Sequence, residues 1–224
     1  MYKWLYKNRF TTFFVSLMLI LFGSLLFPEP FFQEKLMPIF FLVNISSGII
    51  LISKNRILYW SYISLFIFSL SIFGLDIANK STFEVNLYLK FILYFIFYST
   101  VTYAIILQVW RAKKINKDVI IGLMCGYISL GLLGFFLFTA IEIYQPDSFQ
   151  GILLENNGIV TKIDSLLYYS YITLLTIGYG EIVPVTPIAQ KGSILIGLIG
   201  QFYIVILTAI IVGKFLTQQK KSFE

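Results

Sequence analysis

The chain has 224 residues, of which 58% are hydrophobic and 12% are charged, and its formal net charge is +6 at pH 7. Soluble domains carry about 25% charged residues, so this composition excludes an ordinary soluble globular protein. The apolar residues stand in runs of about 18 or more, long enough to cross the hydrocarbon core of a bilayer. Because the chain has no histidine and a single cysteine, imidazole chemistry and an internal disulfide are excluded as well.

Six apolar segments follow one another and predict six membrane-spanning helices, at about residues 10–27, 36–52, 57–75, 87–109, 119–144 and 188–216. Basic and acidic residues occupy alternate gaps between them, which is the positive-inside pattern. This pattern predicts a multi-pass protein of the cell membrane, in contact with lipid and with both termini in the cytoplasm. It also argues against a nucleic-acid partner, because a nucleic-acid surface would concentrate basic residues on one soluble face.

The connection between the fifth and sixth segments differs from the others. Residues 145–164 are polar, which is typical of an external loop. Residues 165–175 are apolar but too few to cross a membrane. They predict a re-entrant helix, for which Asp164 and Ser165 supply the N-cap.

The pentapeptide Thr176-Ile177-Gly178-Tyr179-Gly180 follows this short helix. Taken alone, Gly-Tyr-Gly could be a chance turn, but Gly178 and Gly180 can adopt the left-handed backbone that turns successive carbonyl groups to one side. The segment has Ile where the filter loop of potassium channels has Val, and the chain resembles the potassium channel family at this point. The resemblance implies that backbone carbonyls of residues 176–179 and the Thr176 hydroxyl bind K⁺. It also implies that Ile177 and Tyr179 point outward into the wall.

Three residues near the pentapeptide are expected to support it. Tyr168 and Tyr169 stand where the family often has paired tryptophans around the filter, and Glu181 stands where it usually has aspartate. The resemblance implies that the Glu181 carboxylate hydrogen-bonds Tyr168 and attracts cations to the outer mouth. An ordinary exposed acid is the alternative for Glu181.

The sixth segment is similar to the inner helix of simple bacterial potassium channels. Gly200 falls at the family's hinge glycine, and close helix packing is an equal alternative. Gln201, Ile204, Thr208 and Val212 recur at three- and four-residue spacing and share a face, which the resemblance places along the cavity below the filter. Gln201 and Thr208 would keep the ion solvated, and Val212 would form a hydrophobic constriction. For Gln201 the alternative is a hydrogen bond to a neighbouring helix.

The predicted fold class is an all-α integral membrane protein with two regions. Residues 1–117 form a four-helix transmembrane region, in which Asn44, Ser46 and Ser47 are expected to hydrogen-bond between helices, and residues 118–224 form the pore domain. One pore loop supplies one wall of a filter that needs four, which predicts a homotetramer or assembly with related subunits. The fourth segment lacks a basic array, so we expect no voltage gating. The few residues after the sixth segment predict no cytoplasmic ligand-binding domain.

The sequence therefore predicts a potassium channel that conducts passively, is not an enzyme, and has no cofactor besides the permeant K⁺. Three alternative functions would need sequence features that differ from those observed. A potassium transporter subunit typically has four pore loops in one chain, and an intramembrane enzyme needs paired acids, a Ser/Lys pair or metal ligands within its spans. A weakly selective cation channel would have an altered pentapeptide.

Overall fold

A computed structural model of the chain describes residues 8–28, 31–52, 56–78, 83–112, 114–151 and 159–223. Most of these residues are helical. The α-helices are α1 (Arg9–Phe22), α2 (Met37–Ile52), α3 (Arg56–Ala78), α4 (Phe83–Arg111), α5 (Lys117–Tyr144), α6 (Ile159–Leu174), α7 (Pro187–Phe202) and α8 (Thr208–Phe223). The shorter elements are a 3₁₀ turn at Gly23–Leu25, π-helical turns at Phe32–Leu36 and Tyr203–Leu207, and strands β1 (Phe149–Gly151) and β2 (Ile182–Pro184).

The six predicted apolar segments all lie mainly within helices. Three described helices are long and apolar enough to cross a membrane: Phe91–Arg111, Lys117–Tyr144 and Pro187–Gln219. Shorter apolar helices cover Arg9–Leu25, Met37–Leu51 and Tyr62–Ser71. The composition and these helices indicate a membrane protein, while a total of six spans stays a prediction.

The chain divides into two compact units, Met1–Cys125 and Gly126–Glu224, and the boundary falls inside α5. The functional division after residue 117 stays a prediction. In the first unit α2 contacts α1, α3 and α4. In the second unit α6 packs against α7, and β2 contacts the start of α7.

A buried polar cluster joins α1, α2 and α4 in the first unit. The Asn44 amide donates a hydrogen bond to the Ser16 hydroxyl at 2.8 Å, and the Tyr98 hydroxyl donates to Asn44 Oδ1 at 2.7 Å. The hydroxyls of Ser16 and Ser47 lie 3.1 Å apart. Buried polar groups are costly unless they are paired, so this cluster specifies how the three helices meet. The hydroxyl of Ser46 donates to a carbonyl of its own helix, and the prediction that it bonds between helices is therefore wrong.

Helix α6, which covers the segment predicted to be re-entrant, begins at Ile159, six residues before the predicted start. Asp164 and Ser165 lie within the helix, so the prediction that they form its N-cap is wrong. Lys162 lies in the turn before them and makes ion pairs with Glu142, at 3.7 Å, and with Asp147, at 3.4 Å. These ion pairs stabilise the first turns of α6, and the sequence alone does not reveal them.

The external loop also contains a strand that the sequence did not predict. Strand β1 pairs antiparallel with β2, and Gln150 lies opposite Val183. Strand β2 follows the pentapeptide directly. The pairing therefore ties the loop before α6 to the segment after the candidate filter.

Candidate functional site

The chain leaves α6 through a tight C-terminal turn. The Thr176 amide donates to the Thr173 carbonyl at 3.1 Å, and the Ile177 amide donates to the Ile172 carbonyl at 2.8 Å. Together these two bonds have the Schellman pattern, in which the residue after the C-cap adopts a left-handed conformation and is usually glycine. Here that residue is Thr176, with φ 57°. A side chain in this conformation costs about 1–2 kcal/mol. Helix termination alone would favour glycine here and does not explain the threonine.

Positive φ recurs at every second residue of the pentapeptide. Thr176 has φ 57°, Gly178 has φ 57° and Gly180 has φ 94°, whereas Ile177 and Tyr179 are not among the described residues with positive φ. The sequence analysis predicts this conformation for both glycines. A Cβ at Gly178 would meet no described atom within 4 Å. Backbone conformation, and not space within the chain, is therefore what requires glycine there.

Side-chain hydrogen bonds attach α6 to α5. The Tyr171 hydroxyl donates to the Ile128 carbonyl at 2.7 Å, and the Ser170 hydroxyl donates to the Gly131 carbonyl at 2.9 Å. Gly131 also leaves room for the Tyr171 ring, which would overlap a Cβ at that position. These residues are not among those predicted from the sequence. A small residue opposite an aromatic ring can be recognised only when it is known which two helices pack together.

Tyr168 and Glu181 meet behind the pentapeptide. The Tyr168 hydroxyl hydrogen-bonds the Glu181 carboxylate, and this bond, with desolvation and the negative charge of Glu181, raises the pKa of Tyr168 to about 12. The contact is the one that the resemblance implies. Oε1 of the same carboxylate is buried and has no hydrogen-bond partner among the described residues.

Tyr169 supports α6 from the other side. Its ring packs 5.1 Å from that of Phe138 and 5.3 Å from that of Phe149, centroid to centroid. Its hydroxyl shares a 2.8 Å hydrogen bond with the Ser193 hydroxyl. Tyr169 therefore connects α6 to α5, β1 and α7, and its place in an aromatic cuff around the filter stays a prediction.

Helix α7 passes close to the end of α6 at Gly200. A Cβ added at Gly200 would lie 2.5 Å from the Leu174 carbonyl oxygen and 2.9 Å from Leu174 Cδ1. The Tyr127 hydroxyl donates to the same carbonyl at 3.2 Å. Of the two interpretations of Gly200, close packing describes this position. The π-helical turn Tyr203–Leu207 begins three residues later, and such turns are frequent at functional sites.

The four residues predicted to share a face are all exposed within the chain: Gln201, Ile204, Thr208 and Val212. Gln201 Nε2 donates to Thr176 Oγ1 at 3.3 Å. The predicted face therefore begins directly at the pentapeptide. The placement of Gln201 along a cavity stays a prediction.

The apolar side chains of the pentapeptide are uncovered in the single chain. Tyr179 is 74% exposed and Ile177 is 46% exposed. Leu175, just before the pentapeptide, is also 46% exposed. Three large apolar side chains next to an exposed backbone form a surface of the kind that marks an interaction site.

One comparison with known proteins identifies a family. Residues 127–218, less than half of the chain, match a family model whose description is "Ion channel". The matched region contains α6, the pentapeptide, α7 and most of α8. No match was found among curated proteins or among solved structures. The match supports an ion channel domain, and with it a passive, non-enzymatic function in a membrane.

Proposed function

Taking the ion channel domain at residues 127–218 as the premise, we propose that this chain is a subunit of a potassium-selective channel that conducts K⁺ passively. One observation carries the proposal: φ is positive at Thr176, Gly178 and Gly180 and at neither residue between them. A backbone that alternates in this way directs its carbonyl groups toward one line. Stacked carbonyl oxygens can then replace the hydration shell of K⁺.

The electrostatics of the surrounding residues favours a cation at this place. Helix α6 ends at Leu174, two residues before Thr176. The C-terminus of a helix carries a partial negative charge. At the other end of the pentapeptide, the Glu181 carboxylate adds a full negative charge that raises the local cation concentration. The proposed K⁺ ligands are the carbonyl oxygens of residues 176–179 and the hydroxyl of Thr176.

We propose that the channel is a homotetramer. One chain supplies one wall of the filter, and a closed filter needs four. The exposed Ile177 and Tyr179 side chains give a second reason, because neighbouring copies would cover them while leaving the carbonyl groups free for ions. Lipid would then contact the outer surface of the assembly.

The remaining parts of the proposal concern orientation and gating. The basic residues of α4 are Lys90 near its beginning and Arg111 at its end, with none at the three-residue spacing that voltage sensors use. We therefore propose a channel without intrinsic voltage gating, with both termini in the cytoplasm and no cofactor. Gln201 and Thr208 would keep the ion hydrated below the filter, and Val212 would form a hydrophobic constriction.

The test is potassium flux from liposomes that contain the purified protein, compared with Gly178→Ala and Gly197→Ala. Both substitutions add one methyl group with no described atom closer than 4.0 Å. Only Gly178 has positive φ, so the pair isolates backbone handedness. An alanine at 178 costs about 1–2 kcal/mol in the left-handed conformation and is expected to lose that conformation together with K⁺ flux. Gly197→Ala is expected to conduct like the parent protein.

Two results would contradict the proposal. Flux of Na⁺ equal to that of K⁺ would favour a weakly selective cation channel. Unchanged, selective flux through Gly178→Ala would show that the alternating backbone is not the filter. Gly178→Asp adds a stronger perturbation at the same position and should abolish flux that Ba²⁺ blocks in the parent protein.

A further inference from the structure

Gln201 is linked directly to the pentapeptide within one chain. Its Nε2 donates to Thr176 Oγ1 at 3.3 Å. The hydroxyl that accepts this bond belongs to the non-glycine residue of the pentapeptide that has positive φ. We propose that Gln201 is a positioning residue for the Thr176 hydroxyl, and that this bond sets how tightly the cytoplasmic end of the filter holds a cation. The inference rests on the proposed function, since it concerns the same ion path.

The hydrogen-bonding capacity of a hydroxyl explains why this contact matters for ion binding. A threonine hydroxyl has one proton to donate and two lone pairs that accept. The Gln201 amide occupies one lone pair and thereby restricts rotation of the hydroxyl, which leaves the second lone pair for a cation. Without the amide, the hydroxyl can rotate and cavity water competes for both lone pairs. Binding of the ion then has to fix the rotation of the Thr176 hydroxyl, and this loss of entropy weakens the affinity.

The position of Gln201 is held by its neighbour in the sequence. Gly200 is buried against Leu174, and any Cβ there would come within 2.5 Å of the Leu174 carbonyl. Thr176 is held from the opposite side, by the bond from its amide to the Thr173 carbonyl. The backbone is therefore held in place at both Gln201 and Thr176. A side chain one methylene shorter than Gln201 would lose about 1.5 Å of reach and would not span a contact that is already 3.3 Å long.

The test measures ion binding without requiring an open pore. A ligand that binds only the folded state raises the unfolding temperature, and the rise grows with the logarithm of ligand concentration once that concentration exceeds Kd. Thermal unfolding of the purified full-length protein would be followed while K⁺ is titrated at constant ionic strength with Na⁺, and again while Ba²⁺ is titrated as a divalent probe. The variants are Gln201→Met, which has a similar length and no donor, and Gln201→Asn, which keeps the amide but shortens it. Gln190→Met is the control, because it makes the same replacement on α7 at an amide that donates to the Pro184 carbonyl and not to Thr176.

Both Gln201 variants are expected to need about three to ten times more K⁺ than the parent protein for the same rise in unfolding temperature, which is the range that one net hydrogen bond provides. Gln190→Met should stay within about twofold of the parent protein, because it leaves the bond between Gln201 and Thr176 in place. Unfolding temperatures in Na⁺ alone should be similar for all of these proteins. In a Thr176→Val background, Gln201→Met should add nothing further, because the hydroxyl through which Gln201 acts is gone.

The outcomes separate this inference from the proposed function. A parent protein that K⁺ stabilises no more than Na⁺ would contradict the potassium channel itself. Preferential stabilisation by K⁺ that neither Gln201 variant weakens would overturn the role of Gln201 alone. The role is also overturned if Gln201→Asn binds like the parent protein, or if Gln201→Met still weakens binding in the Thr176→Val background. If Gln201→Met does not fold, the polar Gln201→Asn variant decides the same question.

Discussion

Gly200→Ala is the substitution for which the structure makes the sharpest stability prediction. The added methyl group would lie 2.5 Å from the Leu174 carbonyl oxygen, a separation that no ordinary Cβ contact has. The oxygen belongs to the main chain at the end of α6 and cannot move alone. Either α7 shifts away from α6 or the turn that leads into Thr176 deforms.

The magnitude follows from two opposing effects. Overpacking a tight contact costs about 1–3 kcal/mol, whereas alanine in a helix is favoured over glycine by about 0.5–1 kcal/mol. The net expectation for Gly200→Ala is a loss of about 1–2 kcal/mol. Gly197 lies one turn earlier on the same helix, and a Cβ there would be 4.0 Å from the Thr173 carbonyl oxygen. With the steric cost removed, Gly197→Ala should be neutral or stabilised by up to about 1 kcal/mol.

The assay is the rate of thermal unfolding of both variants in the same detergent, because membrane proteins often unfold irreversibly and rates are then the sound measure. Gly200→Ala should unfold faster than the parent protein and Gly197→Ala no faster. The alternative, in which Gly200 is a hinge, makes a different prediction. If Gly200→Ala were as stable as Gly197→Ala and altered only the time that the pore stays open, the packing argument would be refuted.

Two further predictions concern hydrogen bonds, those of Asn44 in the first unit and the one between Tyr168 and Glu181. Asn44→Ala removes the acceptor of Tyr98 and should destabilise the first unit by about 1–2 kcal/mol, whereas Ser46→Ala, which loses only a bond within its own helix, should change the unfolding rate little. Because the folded protein raises the pKa of Tyr168 from 10.0 to about 12, it holds that proton more tightly than the unfolded chain does. The stability difference between the parent protein and Tyr168→Phe should therefore be constant from about pH 7 to about pH 10 and should shrink as the pH rises through 12. A difference that grows over this range, measured from unfolding rates against pH, would contradict the bond to Glu181.

The sequence was sufficient to predict features that depend on residue type alone. Long apolar runs can only be satisfied as helices in a membrane, and all six segments lie mainly within helices. The conformation of Gly178 and Gly180 was also predictable, because glycine is the residue that takes positive φ without a Cβ penalty. Helical periodicity predicts that Gln201, Ile204 and Thr208 share a face, and all three are exposed within the chain.

Features that depend on which elements meet could not be predicted from one sequence. The pairing of β1 with β2 joins two three-residue strands, which are too short to show an alternating pattern. The start of α6 depends on ion pairs of Lys162 with residues 15 and 20 positions earlier. The left-handed conformation of Thr176 was not expected, because a threonine normally avoids it and only the Schellman bonds from α6 reveal it.

The reversal potential measures directly whether residues 176–180 form a filter that selects K⁺ over Na⁺. The parent protein would be reconstituted in a planar bilayer with K⁺ on one side and Na⁺ on the other. The account predicts a reversal potential close to the K⁺ equilibrium value, carried by a current that internal Ba²⁺ blocks. A reversal potential near zero would mean that Na⁺ and K⁺ pass equally, and would contradict a potassium-selective filter at residues 176–180.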